Sequence, residues 1–390
     1  MKLLFLLGSF CLLCCTAQAR QDSLRIAPNV RLPRDSATRM LLQSGISAFL
    51  QSSPTPIGEN RLVLPKDALA TSLLLDELHD IGYDKQSNDS GFYAPYLLNI
   101  VPRSDSVFLV QVAYIGHRDS TPILKTSIRF VAQLRDRAFT FRSILPEMTA
   151  AWKATTFGQY TFHYKSTLAT AKARDYQAKI SFYDAKLGAR TLPADVYCCA
   201  TFDEALQLSG IDYKSDYTGV SHTSLVTQND IRALTIDGSL TELFTIYDPH
   251  DLFHSRLRNA LPAATIYRPV DEGCAYLYGG SWGISWKEIL RRFRKYAAGN
   301  PTANWLELYK DTKNFEEGDK PLTIGYVINA LIIQQLEREK GFDAVKQLLQ
   351  CGRREKGDAK YFEVLEKLTG IRESNFNVKV GELVVSGRKW

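Results

Sequence analysis

One short stretch constrains this chain more than any other: Tyr247-Asp-Pro-His250-Asp251-Leu-Phe-His254-Ser-Arg-Leu-Arg-Asn259. It reads as the start of a helix. Asp248 is a good N-cap, and Pro249 falls at the first helical position, where its missing N–H costs nothing. His250 and His254 then stand four residues apart, so both imidazoles share one helical face, one turn apart. A helix presents two histidines to one metal ion in this way. The chain has only 6 histidines, and two of them sit here.

A zinc site needs at least three protein ligands, so a third is sought downstream. Val270-Asp271-Glu272-Gly273-Cys-Ala-Tyr-Leu-Tyr278 supplies one candidate, Glu272, near the start of a second helix that follows a turn at Pro269. In the first turn of that helix, its carboxylate can point back at the histidine helix. The requirement is geometric: the side chains of His250, His254 and Glu272 must come within about 2.0–2.2 Å of one point.

Together these residues resemble the ligand set of the gluzincin branch of zinc metallopeptidases, whose third ligand is a Glu on a following helix. The E-G-x-A-Y surroundings of Glu272 are similar to that branch, as is Tyr326-Val-Ile-Asn-Ala-Leu-Ile-Ile-Gln-Gln-Leu with the segment after it. The order of parts is also similar: a mixed sheet, a hairpin, the histidine helix, the glutamate helix and a helical C-terminal part. The resemblance covers roughly 157–370 and not the N-terminal region. It implies bound zinc, a peptide or protein substrate, and hydrolysis by a zinc-activated water. The family motif is H-E-x-x-H, and this chain reads H-D-L-F-H. Asp251 therefore stands where the family has its general base, one methylene shorter. The lost reach is about 1.5 Å, one carbon–carbon bond. The family's oxyanion donor is a downstream Tyr or His. No histidine follows His254, so the role passes to a tyrosine; Tyr326 corresponds best, with Tyr276, Tyr278 and Tyr309 as rivals.

The rest of the chain is read around this centre. Met1-Lys2, the apolar run Leu3 to Leu13 and Ala17-Gln-Ala19 have the form of a secretory signal over residues 1–19, which places the mature protein outside the cytoplasm, secreted or periplasmic. Cys14 and Cys15 leave lipoprotein anchoring as an alternative. No later run reaches the roughly 18 apolar residues of a membrane span. Four cysteines remain, Cys198, Cys199, Cys274 and Cys351, with three possible pairings and no C-x-x-C spacing. The formal charge of +6 is mild for 390 residues, and the basic clusters Lys287–Lys295 and Arg353–Lys360 read as solvated helix faces, not as a nucleic-acid surface.

The periodicity predicts an α+β fold. Residues 20–150 form a small α+β domain, with helices over 36–51 and 67–81, then strands over 106–115, 123–134 and 138–142. Residues 151–390 form a zincin-like domain. It opens with a mixed sheet and a hairpin over Gly219–Ile236, whose edge strand offers pairing to an extended peptide. Helices follow over 249–261, 271–278, 285–297, 302–315, 321–339, 342–352 and 358–368, and Phe376–Val385 reads as a last strand.

Two other functions compete. One is a catalytically silent relative that keeps the fold and binds a peptide or protein partner. The other takes His250-Asp251 as the metal pair of the HD phosphohydrolases. Those proteins are all-helical and need further His and Asp ligands, and the strands before residue 248 argue against them.

Overall fold

The computed structural model describes residues 24–238 and 242–386. The expected signal segment, 1–19, lies outside them. The fold is α+β, and the chain groups into two compact units: residues up to 169 with 192–244, and 170–191 with 245 onward.

The first unit holds two sheets. Strand β1 (Arg25–Ile26) and helices α1 (Ser36–Gln51) and α2 (Ala68–Glu77) precede the long strands β2 (Ala94–Pro102), β3 (Val107–Arg118), β4 (Thr121–Arg135) and β5 (Ala138–Arg142). These strands pair in the order β1-β2-β3-β4-β5. The α1 helix starts on Asp35, whose carboxylate accepts from Thr38 N at 2.7 Å. Its apolar stripe Leu42, Ile46, Phe49 and Leu50 is buried. Phe49 stacks on Phe141 at 4.7 Å and meets Phe130 at 4.9 Å, which fastens α1 to the sheet.

After a short helix α3 (Leu145–Met148) come β6 (Lys153–Phe157) and β7 (Tyr160–Tyr164). The chain then leaves for the second unit as α4 (Thr170–Leu187) and returns as β8 (Ala194–Cys198), α5 (Phe202–Ser209), β9 (Ile211–Lys214), β10 (Ser224–Gln228) and β11 (Ala233–Asp237). The second sheet runs β10-β11-β8-β7-β6 and is mixed, since β8 lies parallel to both β7 and β11. The expected hairpin is β10 with β11, and β10 is an edge of this sheet. Strand β9 joins the first sheet by pairing with β4. Cys198, Cys199 and Cys274 are buried and Cys351 half-buried, and all four are free thiols.

The second unit is mainly helical: α4, then α6 (Pro249–Ala260), α7 (Arg268–Gly279), α8 (Trp286–Gly299), α9 (Trp305–Lys310), the small hairpin β12 (Asn314–Glu316) with β13 (Leu322–Thr323), α10 (Ile324–Lys340), α11 (Phe342–Leu349), α12 (Ala359–Thr369) and α13 (Phe376–Ser386). Helix α10 is its spine, with ten buried residues on several faces. Among the described residues no helix is long and apolar enough to cross a membrane.

The structure corrects the C-terminal tail. Phe376–Val385 is not a strand but most of α13. Phe376, Val380 and Val384 are buried while Val378 and Val385 are exposed, so the burial repeats every four residues. The alternation Phe-Asn-Val-Lys-Val mimics a strand over five residues, and packing decides for the helix. The long helix expected over 302–315 is also shortened: α9 stops at Lys310, Thr312 takes a positive φ of 54°, and the chain turns into β12.

Candidate metal centre

Local sequence sets the first two groups. Asp248 caps α6 and its carboxylate accepts from His250 N at 2.8 Å, with Pro249 in the first turn. His250 and His254 then project from one face, as the spacing requires. The opposite face carries a buried ion pair: Arg256 Nε and Nη2 donate to the two oxygens of Asp184 on α4 at 2.7 and 2.9 Å. Tyr183, the neighbour of Asp184, donates to the Pro249 carbonyl at 3.0 Å and packs edge-on to Phe253. Helix α4 thus grips the ligand helix on its far side.

The third group arrives on α7, and a glycine sets its approach. A Cβ on Gly273 would lie 2.6 Å from Asn329 Cβ, so α7 and α10 meet at a distance that only a hydrogen tolerates. Glu272, one residue earlier, is buried. At the other end of α7, a Cβ on Gly279 would lie 2.6 Å from His250 N. This close approach brings the Gly280 carbonyl beside the His250 ring.

The three side chains converge. His250 Nε2 and His254 Nε2 are 3.1 Å apart, and Glu272 Oε2 is 3.5 Å from the first and 3.8 Å from the second. A triangle with these edges has its centre about 2.0 Å from each corner, within the usual zinc–nitrogen and zinc–oxygen distances. A tetrahedral zinc site has ligand–ligand edges of about 3.3 Å, so the triangle needs little adjustment.

The outer partners fix which ring nitrogens face inward. His250 Nδ1 is 2.8 Å from the Gly280 carbonyl, and His254 Nδ1 is 2.7 Å from Asp271 Oδ1. Both partners are acceptors, so each Nδ1 carries the proton and donates it. Each neutral imidazole then turns a bare Nε2 lone pair toward the centre, the tautomer a metal requires. Two such lone pairs and a carboxylate oxygen facing one another repel unless a cation or a proton lies between them. Burial disfavours a charged His250, but its hydrogen bond to Glu272, the Gly280 carbonyl and the Glu272 charge outweigh this and raise its pKa. Burial likewise opposes an ionised Glu272, yet the two histidines and Arg268 hold its carboxyl below the ordinary value. The donor set, two imidazoles and one carboxylate with a carboxylate and a carbonyl behind them, fits zinc.

Around the centre stand two tyrosines. The Tyr276 ring lies 5.7 Å from that of His250, and the Tyr326 ring meets Tyr276 edge-on at 5.6 Å. Burial and the charge of Glu272 raise the pKa of Tyr326, which keeps its hydroxyl a donor. Tyr278 and Tyr309 are engaged elsewhere, donating to Glu337 at 2.6 Å and sharing a hydrogen bond with Tyr267 at 3.0 Å. Asp251 lies in the first turn of α6 and is exposed. Three contributors escape a reading of the sequence. Asp271 looks like an ordinary helix-starting acid, the Gly280 carbonyl is backbone, and Arg268 looks like a surface charge. The signal for Asp271 is its place beside Glu272. Arg268 donates to Glu272 Oε1 at 3.1 Å.

No family model matches the chain, and no curated protein sequence matches it either.

Proposed function

We propose that the protein is a secreted or periplasmic zinc-dependent peptidase of gluzincin type, hydrolysing peptide bonds. One observation carries this reading: three buried or half-buried ligand atoms on α6 and α7 surround a point about 2.0 Å from each, and each imidazole is locked in the metal-binding tautomer.

Zinc in this position supplies Lewis acidity, lowering the pKa of a water toward neutrality and polarising a peptide carbonyl. Three protein ligands leave a fourth position for that chemistry. His250, His254 and Glu272 would hold the ion, and Asp271 and the Gly280 carbonyl orient the imidazoles. Asp251 is the general base, one residue along the helix from His250 and open to solvent. It takes the proton from the attacking water and returns it to the leaving amine. Tyr326 keeps its proton and donates to the oxyanion as it develops.

The identity of residue 251 supports a second reading, a catalytically silent relative that keeps the metal and binds a peptide or protein partner. A base misplaced by 1 Å can cost about 100-fold, and Asp is shorter than Glu by more than that. Zinc stoichiometry and peptide cleavage of the wild type, Asp251→Ala and Asp251→Glu decide. Cleavage by the wild type that Asp251→Ala abolishes supports the peptidase. Bound zinc, no cleavage, and activity gained by Asp251→Glu support the silent reading. No metal bound in excess zinc overturns both.

A further inference from the structure

We propose that Arg268 is an anion-recognition residue of this centre, and that it binds the free C-terminal carboxylate of a substrate on the residue directly after the attacked bond. The proposal rests on the zinc reading above.

Three observations carry it. First, the guanidinium is attached to the centre itself: Arg268 Nη2 donates to Glu272 Oε1 at 3.1 Å, while Glu272 Oε2 faces the histidines. The Arg268 charge also acts on the Tyr326 hydroxyl, so Arg268 neighbours both the third candidate ligand and the proposed oxyanion donor. Second, it is open. Its side chain is 76% exposed while that of Glu272 is 9% exposed. An arginine carries five N–H donors in a planar fork, and most of this side chain faces solvent. Third, its place opposes helix stability. Arg268 begins α7, and a cation in a first turn works against the helix dipole.

Distance sets the ligand. Chaining a zinc–oxygen bond, the width of a carboxylate and the 3.1 Å hydrogen bond places the Arg268 nitrogen within about 7 Å of the metal position. A substrate carbonyl oxygen held at that position would add the metal–oxygen and C=O bonds, about 3.2 Å; the carboxylate of the next residue lies about 3.5 Å farther, and a hydrogen bond of about 2.9 Å gives about 10 Å at full stretch, a span that a bent path brings to the Arg268 fork. A second residue adds another 3.3–3.6 Å or so and overshoots in an extended chain. The main chain carries a carboxylate only at its C-terminal end, so the geometry selects release of a single C-terminal residue. An acidic side chain on that residue is the other source of the same chemistry.

The test uses the full chain loaded with Co(II), whose visible bands report the metal site, and three thiols, whose sulfur-to-cobalt band reports binding without catalysis. These are 3-mercaptopropanoate, 3-mercaptopropanamide, and 2-carboxymethyl-3-mercaptopropanamide, which moves the carboxylate to a side chain. The expected result is that the propanoate binds about 10- to 100-fold tighter than the propanamide, the worth of a hydrogen bond between charged groups. Arg268→Gln removes that preference, read as the ratio of propanoate to propanamide affinity within each variant, and Arg268→Lys keeps part of it. Equal affinities in the wild type, or a preference that survives Arg268→Gln, overturns the proposal. Tighter binding of the side-chain carboxylate overturns the terminal assignment in favour of an acidic residue. Absence of cobalt bands overturns the metal reading and this proposal with it, an outcome visible before any thiol is added.

Discussion

Asp184→Asn tests what holds the ligand helix in place. Asp184 and Arg256 are 1% and 7% exposed and share two parallel hydrogen bonds. The substitution keeps the shape of the side chain and removes the charge. Arginine does not give up its proton, so a guanidinium stays buried without its counter-ion. Breaking one partner of such a pair costs about 3–5 kcal/mol, consistent with two hydrogen bonds of about 1.5–3 kcal/mol each. In a unit of this size each kcal/mol moves the melting point by about 2–4 °C, so a fall of roughly 6–20 °C is expected by calorimetry, with a matching fall in the urea midpoint. The double variant Asp184→Leu with Arg256→Met removes both charges and recovers most of the loss, because an apolar pair of similar volume replaces a buried ion pair at little cost. A loss below about 1 kcal/mol for the single variant, or a double variant as weak as the single, refutes the assignment of the pair as a buried clamp on α6.

Other outcomes follow from the same structure. Asp271→Asn leaves His254 Nδ1 without its carboxylate and lowers zinc affinity about 10- to 100-fold by competition with a chelator, with the stoichiometry kept. Zinc at 100 times its dissociation constant stabilises the protein by about 2.7 kcal/mol, and His254→Ala removes this shift in a thermal scan. Gly273→Val forces α7 off α10, costs at least about 1–3 kcal/mol, and weakens zinc binding in the same titration. Burial raises the pKa of Asp195, but hydrogen bonds from His163 and Arg232 outweigh it and leave the folded value below 3.8. Its contribution to stability is therefore full above pH 3.8 and is lost as pH falls through the lower folded value. Asp195→Asn should flatten the stability curve in that acid window only.

Much of this centre was legible because helical spacing is rigid. Asp248, Pro249 and the four-residue step from His250 to His254 determine which face the imidazoles share, whatever the tertiary fold. Glu272 was legible as an acid near the start of the next helix and through the resemblance, but nothing in the spacing from His254 to Glu272 says that two helices pack side by side. The outer partners were hidden for different reasons. Asp271 is indistinguishable in sequence from an acid that favours a helix start. The Gly280 carbonyl belongs to no side chain. It reaches His250 because Gly279 lacks a Cβ, and that constraint exists only once the two helices meet. The tail from Phe376 failed in the opposite way. Its local alternation was real, but α13 buries Phe376, Val380 and Val384 along one stripe, and burial outweighed the strand pattern.

The same contrast bears on Asp251. Each proposed metal ligand has its own partner: His250 a carbonyl, His254 Asp271, Glu272 Arg268. The helix beneath them is clamped by Asp184 and capped by Asp248. A base that falls short by one methylene can recover its reach through a shift of the backbone or through an intervening water. This helix resists the first route, because moving α6 toward the substrate would break the Arg256 pair and draw His250 from the Gly280 carbonyl. The water route leaves the scaffold untouched and needs only the solvent that already reaches Asp251. If the wild type cleaves peptides, Asp251→Glu should then alter kcat more than zinc affinity, since the ligand scaffold does not depend on residue 251. A parallel fall in zinc affinity would place Asp251 in the scaffold and refute its role as a base acting through water.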